Sequence, residues 1–460
     1  MTDATPRRLV CALWMALAAL VTAPDEAEAV RIWEAPRAGW QGPSAGGLSP
    51  GSLLTSPDLR LPEFTPPLAA GGHVGASAYP EGVAERWLDI GFTAQPLFVA
   101  QRGFDNEASG NFSVPPGVSL QRTRVIVHGQ AHPQLQVRLE FNLADRLELL
   151  DAYALVPVRR WLQIQLGQFR VPFSRQELVS SSRYQFADRA LWAGGAQGSG
   201  VRFVPSFDLG VMAWGWLGPR DQVEYYVGVF NGKSANQQFN LDSFFLYAGR
   251  VAYNPLGRPR AFQEGAVNMP RDPAVSIGLN ALQQTRQIGF YTVMGETAQR
   301  PNRIGLTAVG ADVYASARGA SLYGELYFRD AAEADTATTP NTQSLGWLVQ
   351  AGYFIPFGAL REHLEVVARV QSYAPSTCVT RAAGGDCAVR LPASQSREVY
   401  RDFMNTTAFT LGLNWYQLGH GFKVQTAYSV INEYSDLQGG VPGSGVVLND
   451  TFTTQLTGSF

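Results

Sequence analysis

Cysteine and lysine are nearly missing from this 460-residue chain, which has 3 Cys and only two lysines, Lys233 and Lys423, among its 36 basic residues. So few cysteines exclude a disulfide-dense scaffold or a cysteine-rich zinc fold. Cys11 lies in the N-terminal apolar stretch, which leaves Cys378 and Cys387 as the only pair in the rest of the chain. In the segment STCVTRAAGGDCAVR they suit a small loop disulfide in an oxidising compartment. No second Cys or His pair with ligand spacing lies nearby, so no metal site is expected, and no cofactor motif is present. Excess charge of either sign is also lacking: the formal net charge is -2, which removes the electrostatic footprint of a nucleic-acid binder. The charged fraction of 16% and hydrophobic fraction of 45% fit neither a disordered nor a collagen-like chain. Past the N-terminal stretch there is no run of the roughly 18 to 20 apolar residues that a spanning helix needs. If this chain enters a membrane, it does so as strands.

Three parts are distinguishable. Residues 1–29 read as an export signal, with Arg7 and Arg8 as the positive end, Leu9 to Ala23 as the apolar run and Ala27-Glu28-Ala29 as the cleavage site. Residues 30–82, rich in Pro, Gly, Ser and Ala, have no sustained periodicity and read as a tether. Residues 83–460 form the body.

The body alternates. In QLQVRLEFNL, Leu135, Val137, Leu139, Phe141 and Leu143 share one face, and Gln134, Gln136, Arg138, Glu140 and Asn142 share the other. Leu162, Ile164 and Leu166 oppose Gln163, Gln165 and Gly167, while Phe409, Leu411, Leu413 and Trp415 oppose Thr410, Gly412, Asn414 and Tyr416. Period two over about 9 to 13 residues is what a tilted membrane-spanning strand needs. This pattern predicts about sixteen strands, near 87–99, 119–130, 134–144, 148–156, 161–169, 207–217, 222–230, 244–254, 273–281, 305–317, 321–329, 345–355, 362–373, 404–416, 422–432 and 451–460. Short turns alternate with longer polar loops, and an even count returns both ends to one side. Two connections break that rule: 144–147 is short for an outer loop, and 255–272 is long for an inner turn. A soluble sandwich also alternates, with its faces reversed. The polar face, crowded with Gln, Asn, Arg and Glu, and an apolar face ending in Trp161, Tyr247, Trp347, Tyr353 and Trp415 favour an all-β, antiparallel transmembrane barrel bathed in outer-membrane lipid. In the terminal TFTTQLTGSF, Phe460, Leu456 and Phe452 are in phase. This resembles the C-terminal signature through which outer-membrane proteins engage the barrel-assembly machinery, with Gly458 standing where an apolar residue is usual.

The stretch LGQFRVPFSRQELVSSSRYQFADRAL, residues 166–191, is more specific. It resembles a block of the phosphate-selective porin O/P family, with Gly167, Phe169, Arg170, Pro172, Phe173, Glu177, Ser180, Ser181, Ser182, Phe186 and Arg189 at matching places. RTRVIVHGQ and VRLEFNLAD before it, and DLGVMAWG, YYVGVFNGKS and GRVAYNPLG after it, extend the likeness over most of 119–257. Ser174 and Asp188 depart from the family's usual Gly and Glu, and Phe207 stands where Arg is frequent. The resemblance implies a sixteen-stranded homotrimeric barrel in the bacterial outer membrane. It also implies conduction of small anions such as phosphate, with loop 170–206 folded inward.

Arg170, Arg175, Arg183 and Arg189 fall in that loop. Guanidinium groups lining a constriction lower the cost of dehydrating an anion; paired with Glu177 or Asp188, they only pin the loop. Along the wall, strand phase points Arg122, Arg124, Arg138, Arg250, Arg369 and Lys423 to the lumen, together with Glu140, Glu148, Asp151, Glu224, Glu325 and Glu365. Such a mixed lumen predicts a transverse field rather than a uniformly cationic tube. The scarcity of lysine argues against the dense lysine cluster that phosphate-specific members of the family use to attract substrate. Enzyme chemistry finds little footing. His73, His128, His132, His363 and His420 are scattered, and Gly-Ser-Gly at 198–200 and 443–445 lacks the strand-to-helix setting of a nucleophile elbow. A general or organic-acid channel, and a scaffold barrel plugged by residues 30–82, stay open as alternatives.

Overall fold

The computed structural model describes residues 87–103, 116–132, 134–191, 205–237, 244–257, 262–288, 302–333, 342–375, 405–434 and 447–460, together with residues 240, 259, 292–293 and 296–297. The leader, the tether, Cys378, Cys387 and both Gly-Ser-Gly segments lie outside the described residues.

Sixteen strands close into one antiparallel barrel. They are β1 (Trp87–Gly103), β2 (Gly117–His132), β3 (Leu135–Asn142), β4 (Glu148–Arg159), β5 (Leu162–Arg170), β6 (Phe207–Leu217), β7 (Val223–Phe230), β8 (Leu246–Tyr253), β9 (Ala274–Ile288), β12 (Asn302–Ala317), β13 (Ala320–Glu333), β14 (Thr342–Phe354), β15 (Leu364–Pro375), β16 (Asn405–Tyr416), β17 (Phe422–Tyr434) and β18 (Val447–Ser459). A separate hairpin of β10 (Thr292–Val293) and β11 (Glu296–Thr297) interrupts the connection from β9 to β12.

The strand count and most positions match the period-two reading. The main extension is β9, expected to stop at 281. Beyond Ala281 the polar run Gln283 to Arg286 blurs the alternation, yet backbone pairing with β12 continues to Ile288↔Asn302. The two faces are inverted relative to a soluble protein. Gln136, Arg138 and Glu140 are buried inside, whereas Leu166, Leu411 and Leu413 are 59%, 50% and 52% exposed outside. Closure leaves no strand edge unpaired in lipid. The last residue completes the seam between β1 and β18: Phe92 N donates to Phe460 O (2.6 Å) and Phe460 N to Phe92 O (3.0 Å).

Two segments enter the barrel from opposite ends. The long connection after β5 runs inward through residues 171–191, where Val171, Phe173, Ser174, Gln176, Glu177 and Leu178 are essentially fully buried. The connection from β8 to β9, too long for an ordinary turn, sends Gln263, Glu264, Ala266 and Val267 inward from the end where both termini of the barrel lie. The 143–147 connection is as short as the sequence requires.

The interior is not uniformly polar. On β6 to β8, Met212, Trp214, Trp216, Tyr226, Phe230 and Leu246 are buried, and they form one cluster with Val171, Phe173, Leu178 and Leu191 of the inward loop. That side of the lumen is therefore filled as a core, held by apolar burial at roughly 25 cal/mol per Å². Gly167, inside β5, lets the backbone of β4 approach closely. It sits at φ +132, and a Cβ there would lie 2.2 Å from Ala152 O. Gly310 leaves room for the Tyr327 ring, which a Cβ would meet at 2.0 Å.

Candidate permeation site: an inward loop strapped to a charged wall

The inward loop begins as a single helical turn. Ser174 Oγ caps it by accepting from Glu177 N (3.2 Å) and donates to the Glu325 carboxylate on β13 (3.0 and 3.1 Å). Gln176 N also donates to Glu325 Oε1 (2.9 Å). Ser174 thus anchors the turn to the wall.

From Tyr184 to Asp188 the loop lies along the wall formed by β15, β16, β17 and β2 as a strap whose carbonyls face donors. Lys423 Nζ (2.5 Å) and Gln425 Nε2 (3.1 Å) donate to Tyr184 O, and Asn414 Nδ2 (2.9 Å) to Gln185 O. Arg122 Nη1 (3.2 Å) donates to Ala187 O and Arg369 Nη1 (2.9 Å) to Asp188 O. The Arg369 guanidinium also lies 4.4 Å from the Phe186 ring.

The structure sorts the ten singled-out cations into two groups. Arg124 pairs with Glu140 (2.8 Å), Arg138 with Glu140 (2.7 Å) and Asp151 (3.0 Å), Arg250 with Asp312 (2.7 Å) and Arg189 with Glu177 (2.9 Å). Among the described residues, the other six have no carboxylate ion pair. Arg122, Arg369 and Lys423 donate to the strap. Arg170 donates to Glu177 O (2.5 Å) and Val179 O (2.7 Å). Arg175 donates to Gln263 O (3.2 Å) and sits among the rings of Phe262, Tyr314 and Tyr323, 4.4 to 5.4 Å away. Arg183 presents a buried Nε with no partner, and burial pushes its guanidinium down to about 10. Asp188, raised by burial against the pull of Arg122 and Arg369, accepts from Gln121 Nε2.

Sequence phase therefore located these side chains, but not their partners. Strand phase cannot show that a guanidinium ends on a carbonyl contributed from 65 or 181 positions away. It also missed the carboxylate Glu264, carried by the long inner connection that the sequence did mark out. The one signal available was the length of 255–272. His128 and His132 do not converge on a ligand set: His128 is buried on β2 with its ring 4.7 Å from that of Trp87, while His132 is exposed at the end of the same strand. No group of three or more His, Cys, Asp or Glu among the described residues could hold a metal ion.

A closed sixteen-stranded barrel, apolar outside and narrowed by an inward loop after β5, defines an outer-membrane porin. The profile of the family "phosphate-selective porin O and P" matches residues 102–438, and the chain belongs to that family. It resides in the bacterial outer membrane. Among solved structures, the outer-membrane channel DcaP of Acinetobacter baumannii superposes with a TM-score of 0.51 at 12% identity, over 84% of this chain and 100% of that one. Outer-membrane expressed OmpT of Vibrio cholerae gives 0.50 at 12% identity (84% and 100%), and OprB of Pseudomonas putida 0.50 at 11% identity (84% and 99%). These likenesses concern the fold. No curated relative matches the chain.

Proposed function

We propose that this porin gives passive, anion-preferring passage to small solutes, phosphate among them. The observation that carries the reading is the strap: Arg122, Arg369 and Lys423 spend their donors on carbonyls, which orient a cation without cancelling its charge. Arg122 and Arg183 are also partly exposed, so their charge reaches water. Glu224 on β7, which accepts from Tyr226, lies across the barrel from the strap, whereas Glu325 on β13 and Glu365 on β15 lie within two strands of Arg369. The strap cations and Glu224 set a transverse field that Glu325 and Glu365 weaken, and an anion passes along the β15–β2 side. Assembly as a homotrimer, and recognition of the Phe460-terminated strand by the barrel-assembly machinery, belong to the same reading. No step of it needs a catalytic group.

The test is planar-bilayer recording of the refolded mature protein in a KCl gradient, repeated with phosphate added. Stepwise openings, an anion-sided reversal potential and phosphate block support the reading. Openings with a cation-sided potential refute anion preference, and openings without block refute phosphate affinity.

A further inference from the structure

The inner connection places one acid where both inward segments and the wall meet. Glu264 is 0% exposed and accepts from Gln176 Nε2 (2.8 Å), Gln185 N (2.9 Å) and Gln350 Nε2 (3.0 Å). Gln176 and Gln185 belong to the outer loop, and Gln350 belongs to β14. All three partners are neutral, so the carboxylate acts through geometry: three donors from two separate elements converge on one group contributed by a third.

The same two glutamines reach further. Gln176 Oε1 accepts from Ala190 N (2.7 Å) and its carbonyl from Tyr184 OH (3.1 Å). Gln185 Nε2 donates to Glu365 Oε1 (2.7 Å) and Ser321 Oγ (2.9 Å), and its Oε1 accepts from Gln350 Nε2 (3.0 Å). Removing the Glu264 carboxylate would leave the buried Gln176 Nε2 and Gln185 N without that acceptor, and Gln350 Nε2 with Gln185 Oε1 alone. The loop has few other ties to the inner segment: Glu264 N donates to Arg183 O (3.4 Å) and Arg175 to Gln263 O (3.2 Å).

We propose that the passage is bounded by two jaws, the outer loop 171–191 and the inner segment 262–268, and that Glu264 is the positioning residue that latches them and so sets how wide the porin opens. This rests on the reading of the barrel as a channel. Glu264 touches no permeating ion; it acts through the loop.

The experiment compares wild type with Glu264→Ala and Glu264→Gln in the same bilayers, with entry of neutral sugars of graded size into proteoliposomes as a second readout. The latch predicts that Glu264→Ala raises the unit conductance about two-fold and admits larger sugars, because loop position sets the pore radius. Glu264→Gln, which keeps an acceptor oxygen, falls in between. A purely structural role would lower the unfolding temperature and leave unit conductance and the size limit of folded channels unchanged.

A second variant clamps the jaws instead of releasing them. A Cβ on Gly265 would lie 3.3 Å from Gln185 Cγ, which is one bond from Gln185 Cβ, so the two Cβ atoms come near the separation of about 3.5 to 4.5 Å that a disulfide spans. Gly265→Cys with Gln185→Cys, in a Cys378→Ser, Cys387→Ser background, should conduct less when oxidised than when reduced. If wild type conducts and Glu264→Ala and the oxidised and reduced pair all match it, the latch is refuted and the channel stands. If neither wild type nor Glu264→Ala conducts from folded barrels, both readings fall.

Discussion

Neutralising Arg122 gives the sharpest test of how the strap acts. Its guanidinium donates to Gln95 Oε1 (3.3 Å), Gln121 Oε1 (2.8 Å) and Ala187 O (3.2 Å), all uncharged, and its side chain is partly exposed. A univalent ion passing about 4 Å away gains or loses about 1 kcal/mol at the dielectric constant of water. The charge favours an anion and disfavours a cation by that amount, so removing it shifts the difference by about 2 kcal/mol before screening. At 0.1 M salt the Debye length of about 10 Å leaves about two thirds of this, an approximately ten-fold fall in the anion-to-cation permeability ratio. At 1 M, with a Debye length of about 3 Å, the fall is about two-fold. The assay is the reversal potential of Arg122→Gln across KCl gradients centred near each salt concentration. Arg122→Lys keeps the charge, loses the planar fork and should stay near wild type. An unchanged potential in Arg122→Gln at low salt, or a change equally large at both concentrations, refutes the argument.

Other perturbations address stability. Arg250→Met strands Asp312, 0% exposed at its side chain, with Asn280 Nδ2 (3.2 Å) as its remaining donor; this should cost about 3 to 5 kcal/mol in urea unfolding, and adding Asp312→Leu should recover much of it. Gly167→Val forces a Cβ onto Ala152 O and a branched side chain into a positive-φ position, so the yield of heat-modifiable folded barrel should drop sharply, with a cost of about 1 to 3 kcal/mol. His420, in the turn before β17, is held well below the usual histidine range by burial, then by Lys423 and Arg183. The unfolded chain therefore binds a proton near pH 6.5 that the folded chain refuses, and stability falls as pH drops below about 6.5. The drop in urea midpoint between pH 7.5 and pH 5 should shrink in His420→Gln.

The barrel was legible because one face of every strand meets lipid, which enforces period two locally. Phe207–Leu217 was placed to the residue on that signal alone. Around β6 to β8 the signal misleads about content: Trp214, Trp216 and Tyr226 face inward, because the loop residues Val171, Phe173 and Leu178 make that side of the lumen an apolar core. A sequence shows which residues share a face, but not what covers it. The inner segment 262–268 has no period at all. Its position is fixed by Glu264 meeting Gln176, Gln185 and Gln350, contacts that span 79 to 88 residues of chain. The arginines of the loop were equally ambiguous from sequence: Arg189 took the ion-pair alternative, and Arg170 and Arg175 ended on carbonyls.

That division assigns different work to residues that look alike. A guanidinium neutralised by a carboxylate at 2.7 Å contributes little to the field a passing ion feels, but breaking the pair leaves a buried charge exposed to its own desolvation cost. A guanidinium held by carbonyls keeps more of its charge, though Asp188 offsets part of that of Arg122 and Arg369, and losing it removes hydrogen bonds to a loop that has many others. Arg138→Gln should therefore unfold at clearly lower urea, with Glu140 and Asp151 left facing each other, while folded channels shift their selectivity little. Arg369→Gln should do the reverse, keeping the midpoint within about 1.5 kcal/mol, the worth of an ordinary hydrogen bond, while the reversal potential moves toward cations. Measuring both quantities on both variants separates the roles. Equal selectivity shifts in the two would mean that pairing does not silence a lumen charge, and the assignment of the field to Arg122, Arg369 and Lys423 would fail.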